Sequence, residues 1–139
     1  MKPQSAKSKG RRLQQQVVSD LLEVFAHLSE DDIRSTSMGA PGEDVVMSHA
    51  ARLSIPFSFE AKNQERVNIW SSIAQAKANA PENVDPVVVF KKNGETPHVA
   101  LSWKTFLKLI HPQKENREDT KQLHMIADTL KKLASDMDK

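Results

Sequence analysis

The chain has 139 residues, of which 27% are charged and 38% hydrophobic, and its formal net charge is +2 at pH 7. This balance is typical of one globular domain. The absence of cysteine excludes a disulfide scaffold and a thiolate zinc site. It also fits the cytoplasm, which is the expected location. The longest apolar run, residues 87–90, is far too short to cross a membrane, and no apolar signal segment opens the chain, so neither a membrane partner nor secretion is expected.

Positive charge is concentrated at the start of the chain. Residues 1–12 contain five basic residues and no acid, so the other 127 residues carry a net charge of −3. Such a segment suits contact with a polyanion backbone, but it also suits a disordered, solubilising tail, and charge alone does not separate the two. We predict a flexible basic arm over residues 1–10. The candidate DNA contacts in and beside it are Lys7, Lys9, Arg11 and Arg12.

The first half of the body reads as one helix followed by three short strands. Helical spacing of apolar residues from Leu13 predicts an amphipathic helix over residues 11–27. Gly39 and Gly42 lie in a turn-rich loop, where they serve either a tight connection or the close approach of a nucleic-acid backbone. The predicted strands cover residues 32–36, 44–47 and 55–62, with a helical turn or loop over residues 48–54.

Helical spacing returns over residues 65–80, and Pro81 ends that helix. Residues 87–90 form the most apolar strand, which predicts a central position covered on both faces. An Asn-Gly pair within residues 91–95 predicts a hairpin turn that leads to an edge strand over residues 97–101.

The C-terminal region reads as two helices joined by a polar linker. Ser102 is a candidate N-cap for a helix over residues 103–110, and residues 111–116 form the linker. Beyond residue 118, apolar residues recur at alternating spacings of three and four: Leu123, Ile126, Leu130, Leu133 and Met137. This seam either docks on the chain's own body or pairs with a second copy in a homodimer.

The order of elements predicts an α/β domain with a mixed central sheet flanked by helices. The expected division is a basic arm over residues 1–10, a domain over residues 11–110, and a linker with an amphipathic helix over residues 111–139. Trp70 and Trp103 are expected to be core anchors rather than base-stacking platforms.

Two predicted strands bring acidic residues to their ends. Asp44 opens the second strand, and Glu60 and Lys62 share one face at the end of the third, because side chains alternate along a strand. If the two strands are neighbours, these three residues meet at one polar edge, where they would bind a hard divalent cation and a phosphodiester. The acid-x-lysine triplet alone is weak evidence, since residues 119–121 also fit it. The alternating strand before Glu60 and the helix after Lys62 make this context rarer.

In these features the chain resembles the PD-(D/E)XK nuclease superfamily, over about residues 9–106. The residues that carry the resemblance are Gly42-Glu43-Asp44, Glu60-Ala61-Lys62 and Gln75 in the following helix. More narrowly, residues 9–14, 34–39 and 60–65 are similar to small phage-type nucleases and Holliday-junction resolvases. The resemblance implies a restriction-endonuclease-like core and a metal-dependent DNA endonuclease that acts on branched or duplex DNA, in the host cytoplasm if phage-encoded.

The same resemblance implies roles for individual residues. Asp44, Glu60 and the backbone carbonyl of Ala61 would hold Mg²⁺, with Mn²⁺ as the alternative. Lys62 would orient or deprotonate the attacking water or hold a phosphate oxygen. Supporting residues would be Gln14, Gln15, Gln75 and Glu65, and Arg34 and Ser37 would join the DNA contacts. Many members have a further acid in the first helix, where this chain has three glutamines, so one fewer charge is available to a metal.

Two other functions fit the same residues. A non-catalytic nucleic-acid-binding module on a nuclease-like fold would account for the missing acid of the first helix. An interaction protein would use the C-terminal seam to pair two chains.

Overall fold

The computed structural model describes residues 3–37, 39–112 and 117–137, and over these residues the protein is mixed α/β. The chain divides into two compact units, residues 1–105 and residues 106–139, and α4 spans the division. In chain order the elements are α1 (Pro3–Val24), β1 (Ile33–Ser35), β2 (Val45–Met47), α2 (His49–Ser54), β3 (Phe57–Asn63), α3 (Ile69–Asn79), β4 (Asp85–Lys91), β5 (His98–Ala100), α4 (Trp103–Ile110) and α5 (Arg117–Met137).

A three-stranded mixed sheet forms the centre of the first unit. Its strand order is β3-β4-β5, with β3 and β4 parallel and β4 and β5 antiparallel. The predicted central position of the valine-rich strand is confirmed, since residues 87–89 of β4 are buried. The condition that the second and third strands pair as neighbours is not met, because β2 pairs antiparallel with β1 in a separate two-stranded sheet. The α/β class with a small mixed sheet is thereby confirmed.

Helix α1 covers one face of β3 and supplies much of the core. Leu13 and Val17 of α1 pack with Ile33, Val45 and Ala61, and each of these side chains is buried. The helix begins at Pro3, eight residues before the predicted start, so residues 3–10 form its first turns rather than a separate irregular arm. A proline at the first helical position is favourable because the N–H it lacks would have no partner there.

Helix α3 packs on the other face of β3 and on β4. The Asn68 side chain accepts a hydrogen bond from the backbone N–H of Ser71, and this N-cap sets the start of the helix, later than the predicted residue 65. The buried face of α3 contains Ser72 and Ala76, one turn apart. The helix therefore presents one face to the strand that carries the predicted acid-x-lysine residues.

The prediction that both tryptophans anchor the core is wrong. Trp70 is 82% exposed and Trp103 is 70% exposed. Trp70 precedes the buried Ser72 by two residues, and at about 100° per residue this places it on the outer side of α3.

Among the described residues, none of the helices combines the length and apolar character that a membrane span requires.

The second unit contains the end of α4 and the whole of α5. The predicted C-terminal helix is confirmed, and it begins at Arg117. The seam residues of α5 are between 55% and 85% exposed, so whether the seam docks on the body or pairs two chains stays a prediction. Of the predicted linker, residues 113–116 lie outside the described residues.

Candidate active site

A cleft of about 440 Å³ opens along the outer edge of β3, the edge away from β4. Helix α1 forms one wall, α3 contributes to another, and residues of the loop after β1 also line the cleft. The cleft brings together these predicted site residues: Lys7, Gln14, Ser37, Asp44, Glu60, Ala61, Lys62 and Gln75. Residues from four separate parts of the sequence therefore share one cavity.

Other predicted site residues lie elsewhere. Gln15 and Arg34 line a different groove, between α1 and β1, and Glu65 lines a separate cavity where β3 and β4 end. Arg11 and Arg12 are exposed and are not among the residues that line the cleft. Lys9 contacts a cleft residue through its backbone, since its carbonyl accepts a hydrogen bond from the Asn63 side chain. Gln15 and Glu65 therefore lie outside the cleft that they were predicted to support, whereas DNA contact by Lys9, Arg11, Arg12 and Arg34 stays a prediction.

The side chain of Asp44 contacts the backbone of β3. Its Oδ2 accepts a hydrogen bond of 2.8 Å from the backbone N–H of Ala61. Because the N–H and C=O of one strand residue point to the same side, the Ala61 carbonyl also faces the side on which Asp44 lies. The structure thus places the predicted acid and the predicted carbonyl next to each other at the edge of the sheet.

Glu60 and Lys62 lie on the face of β3 that α3 covers. Glu60 is only 3% exposed, and its Oε1 is 3.6 Å from Lys62 Nζ. Lys62 Nζ donates a hydrogen bond of 2.7 Å to Gln75 Oε1, and Asn79 Nδ2 lies 3.5 Å from Glu60 Oε2. Gln75 and Asn79 are four residues apart, so both face the strand. Sequence reasoning missed Asn79, although its spacing from Gln75 was a usable signal.

The two carboxyl groups of the cleft both have raised pKa values, chiefly because they are buried. Burial raises the pKa of Asp44, although the Ala61 amide and the Lys62 charge both act to lower it. Burial also raises the pKa of Glu60, the nearby negative charge of Asp44 raises it further, and Lys62 opposes both. A bound cation would relieve both the burial cost and the mutual repulsion.

Two buried acceptor oxygens of the cleft have no donor among the described residues, which suits a hydrated hard cation. In the described part of the chain, Gln14 Oε1 and Asn63 Oδ1 are buried without a hydrogen-bond donor. Both residues line the cleft beside the two carboxylates. Mg²⁺ prefers oxygen ligands and keeps several waters, whose O–H groups are donors. No group of three or more His, Cys, Asp or Glu side chains comes together within the described ranges, so two carboxylates and neutral oxygens are the available ligands.

Glu43, the acid next to Asp44, is occupied elsewhere. Its two carboxylate oxygens accept hydrogen bonds of 2.8 and 3.0 Å from Arg52 Nη2. Arg52 Nη1 also donates to the carbonyl of Phe57 at the start of β3. Glu43 therefore helps to fix the end of the loop relative to β3 and is not a ligand of the cleft.

Both glycines of the loop have backbone conformations that favour glycine. Gly39 has a φ of +81° and Gly42 a φ of +97°, in the region that L side chains rarely adopt. No atom lies within 4 Å of a Cβ built at either position. The turn itself accounts for both glycines, and Gly39 is among the residues that line the cleft.

Comparison of the chain with protein-family models, with curated protein sequences and with solved structures gives no match. The proposed function therefore rests on the geometry of the cleft.

Proposed function

We propose that the protein is a metal-dependent DNA nuclease that hydrolyses phosphodiester bonds in this cleft. The observation that carries the proposal is the meeting of Asp44, Glu60, the Ala61 carbonyl and Lys62 at one edge of β3. Lys7 on the α1 wall adds a cation that suits the backbone of a nucleic acid. The proposed substrate is branched or duplex DNA, and Holliday-junction resolution by paired protomers in the cytoplasm is the most specific form of the proposal.

Each residue has a distinct task in this reaction. Asp44, Glu60 and the Ala61 carbonyl would hold Mg²⁺ or Mn²⁺. When bound, the metal would lower the pKa of a coordinated water and offset charge on the scissile phosphate. Lys62 Nζ is held by Gln75 at 2.7 Å, and it lies 3.6 Å from Glu60 Oε1. From this position it can donate a hydrogen bond to a phosphate oxygen or orient the attacking water.

A cleavage assay tests the proposal. Labelled linear, flapped and four-way DNA is incubated with the protein in Mg²⁺, in Mn²⁺ and in EDTA. Wild type is expected to cut in the presence of metal only, and Lys62→Met should reduce the rate by about a hundredfold or more, as loss of a proton-transfer group does. Lys77→Met is the matched control, because Lys77 is an exposed lysine of α3 outside the cleft. Absence of metal-dependent cutting, or equal rates for wild type and Lys62→Met, would refute the proposal.

A second function is favoured by one observation. The wall of the cleft presents the neutral Gln14, and no third acid joins the two carboxylates within the described residues. A binding module on the same fold would therefore hold DNA without cutting it. Such a module would bind DNA equally well in Mg²⁺ and in EDTA, and it would leave all three substrates intact.

A further inference from the structure

A second cavity of about 350 Å³ adjoins the candidate active site. The two share Gln64, the residue that follows β3. The second cavity lies where β3 and β4 end and α3 begins, and its walls include Val67, Ile69, Phe90, Lys91 and Lys92. Its volume lies within the range of pockets that bind small organic groups.

The register of the sheet places this cavity beside the proposed catalytic lysine. Lys62 pairs with Phe90 in the parallel ladder, and Asn63 pairs with Lys91. Paired residues of parallel strands point to the same face, and neighbouring strands are about 4.8 Å apart. Phe90 therefore projects from the adjacent strand on the same face of the sheet as Lys62. A phosphate held at Lys62 would have its adjoining nucleoside next to Phe90.

The lining combines three kinds of group that a nucleotide requires. Val67, Ile69 and Phe90 provide an apolar surface on which a flat base can stack. Lys91 and Lys92 provide cations for a flanking phosphate. The lining also includes Glu65, Glu95, Gln64 and Thr96, which can accept hydrogen bonds from exocyclic amino groups of a base. Since two acids offset the two lysines, the cavity suits a whole nucleotide better than a simple anion.

We propose that this cavity binds the nucleobase adjoining the scissile phosphate, in an unstacked state, with a flanking phosphate on Lys91 and Lys92. The assignment deepens the proposed function and rests on it. A base in an intact duplex is stacked and paired on both sides, so it cannot enter the cavity unless it is extruded. The protein should therefore prefer DNA with an unpaired nucleotide next to the cut, such as a flap, a single strand or an open junction.

Binding without cleavage tests this assignment. A fluorescein-labelled single strand about 12 nucleotides long and the matching duplex are titrated in EDTA with the full chain, by fluorescence anisotropy. Wild type should bind the single strand more tightly. Phe90→Ala should weaken that binding about tenfold, the effect of losing one stacked base, and leave duplex binding nearly unchanged. Lys104→Ala, an exposed lysine of α4 that lines neither cavity, is the control and should bind as wild type does.

Lys92→Ala keeps the test decisive if Phe90→Ala fails to fold. Lys92 is exposed, so its replacement leaves the core intact. It should weaken single-strand binding and reduce the slope of log K against log salt by about 0.7, the value for one phosphate contact on a single strand. Wild-type binding by folded Phe90→Ala, an unchanged salt slope for Lys92→Ala, or a preference for duplex would each overturn the assignment.

The cleavage assay separates this inference from the proposed function. If wild type cuts DNA in Mg²⁺ and folded Phe90→Ala binds the single strand as wild type does, the base pocket is refuted and the nuclease stands. If wild type cuts nothing but Phe90→Ala still loses single-strand binding, the nuclease is refuted, and the cavity is supported as a base pocket of a binding module. Absence of any DNA binding by wild type overturns both.

Discussion

Asp44 Oδ2 accepts a 2.8 Å hydrogen bond from the backbone N–H of Ala61, and this contact joins the two-stranded sheet to the edge of β3. Asp44 immediately precedes β2, whereas Ala61 belongs to β3. The bond therefore fixes the first acid of the cleft relative to Glu60, the neighbour of Ala61. Only proline removes a backbone donor, and within β3 it would also disturb the strand, so the relationship is best tested through Asp44 itself.

Asp44→Asn should stabilise the protein in the absence of metal. The raised pKa of Asp44 means that the folded state binds more protons than the unfolded state as pH falls, so stability decreases as pH rises through that pKa. The amide removes the buried charge and its repulsion of Glu60, and it keeps an oxygen that can accept from Ala61. Between about pH 4 and about pH 8 the variant should have a higher Tm than wild type, and its Tm should fall less as pH rises.

Magnesium should reverse the order of stability. Mg²⁺ stabilises a protein that binds it by mass action, and Asp44→Asn lacks one of the two carboxylates that would hold it. Wild type should gain Tm on addition of Mg²⁺ and the variant should gain little. Asp20→Asn, an exposed acid on α1, is the control and should respond as wild type does. A variant that is less stable without metal, or that gains as much from Mg²⁺, would contradict this account of the site.

Gln75→Ala should impair catalysis without loss of metal binding. Gln75 Oε1 accepts the 2.7 Å hydrogen bond from Lys62 Nζ, whereas Glu60 Oε1 is 3.6 Å away. Without this neutral acceptor, Lys62 is expected to turn toward Glu60 and away from the substrate. The cleavage rate should fall about tenfold, the effect of one charge-assisted hydrogen bond, and the pH–rate profile should shift.

The matched control for Gln75→Ala is Gln15→Ala. Gln15 is also an exposed glutamine on a helix, but it lines the groove between α1 and β1. Calorimetric titration with Mg²⁺ should give the same affinity for wild type and both variants. Equal rates for the two variants would remove Gln75 from a positioning role, and weaker Mg²⁺ binding by Gln75→Ala would show that it acts through the metal instead.

The sequence predicted local features of the site better than its assembly. The alternation that ends at Glu60 and Lys62 is a property of one strand, and Gln75 follows from helical spacing, so both could be read directly. The partner of Asp44 could not, because it is a backbone N–H that only the tertiary fold brings near. Gln14 and Gln15 are adjacent in sequence, but they are about 100° apart around α1, and only the packing of Leu13 decides which one faces the cleft.

The differences at the ends of elements have physical causes of the same kind. Residues 3–10 contain no apolar repeat, so periodicity gave no sign of the helix that Pro3 begins. Trp70 suited a core position by its size, but the N-cap of α3 at Asn68 and the burial of Ser72 and Ala76 place it on the outer side. Hydrophobicity predicts that a residue gains from burial, whereas the register of the helix decides which residues are buried.

Ser48→Ala should destabilise the fold near the loop that leads to β3. Ser48 Oγ donates 2.7 Å to Asp32 Oδ1 and accepts from the backbone N–H of Ala51, so one hydroxyl caps α2 and binds Asp32. Loss of the cap should cost about 1 kcal/mol of unfolding free energy in urea denaturation. Ser19→Ala, at an exposed position within α1, should change it little.

The same variant should be less sensitive to acid. A backbone hydrogen bond from Ser29 lowers the pKa of Asp32 most, and the Ser48 hydroxyl lowers it further. A lowered carboxyl pKa contributes stability that is present above the unfolded pKa and is lost as pH falls through the folded one. Ser48→Ala removes part of this contribution, so its stability should fall less steeply below about pH 4. A parallel acid response of wild type and variant would contradict the role given to Asp32.

Lys7→Ala should weaken DNA binding more than Arg12→Ala does. Lys7, Gly10 and Gln14 are three and four residues apart, so one face of α1 lines the cleft. Arg12 lies about 140° around the helix from Lys7, on a different face. If DNA follows the cleft, Lys7→Ala should reduce the slope of log K against log salt by about 0.9 on duplex DNA, and Arg12→Ala should leave it nearly unchanged. Equal reductions of the slope by the two variants would show that the first turns of α1 attract DNA by charge alone and that the DNA does not follow the cleft.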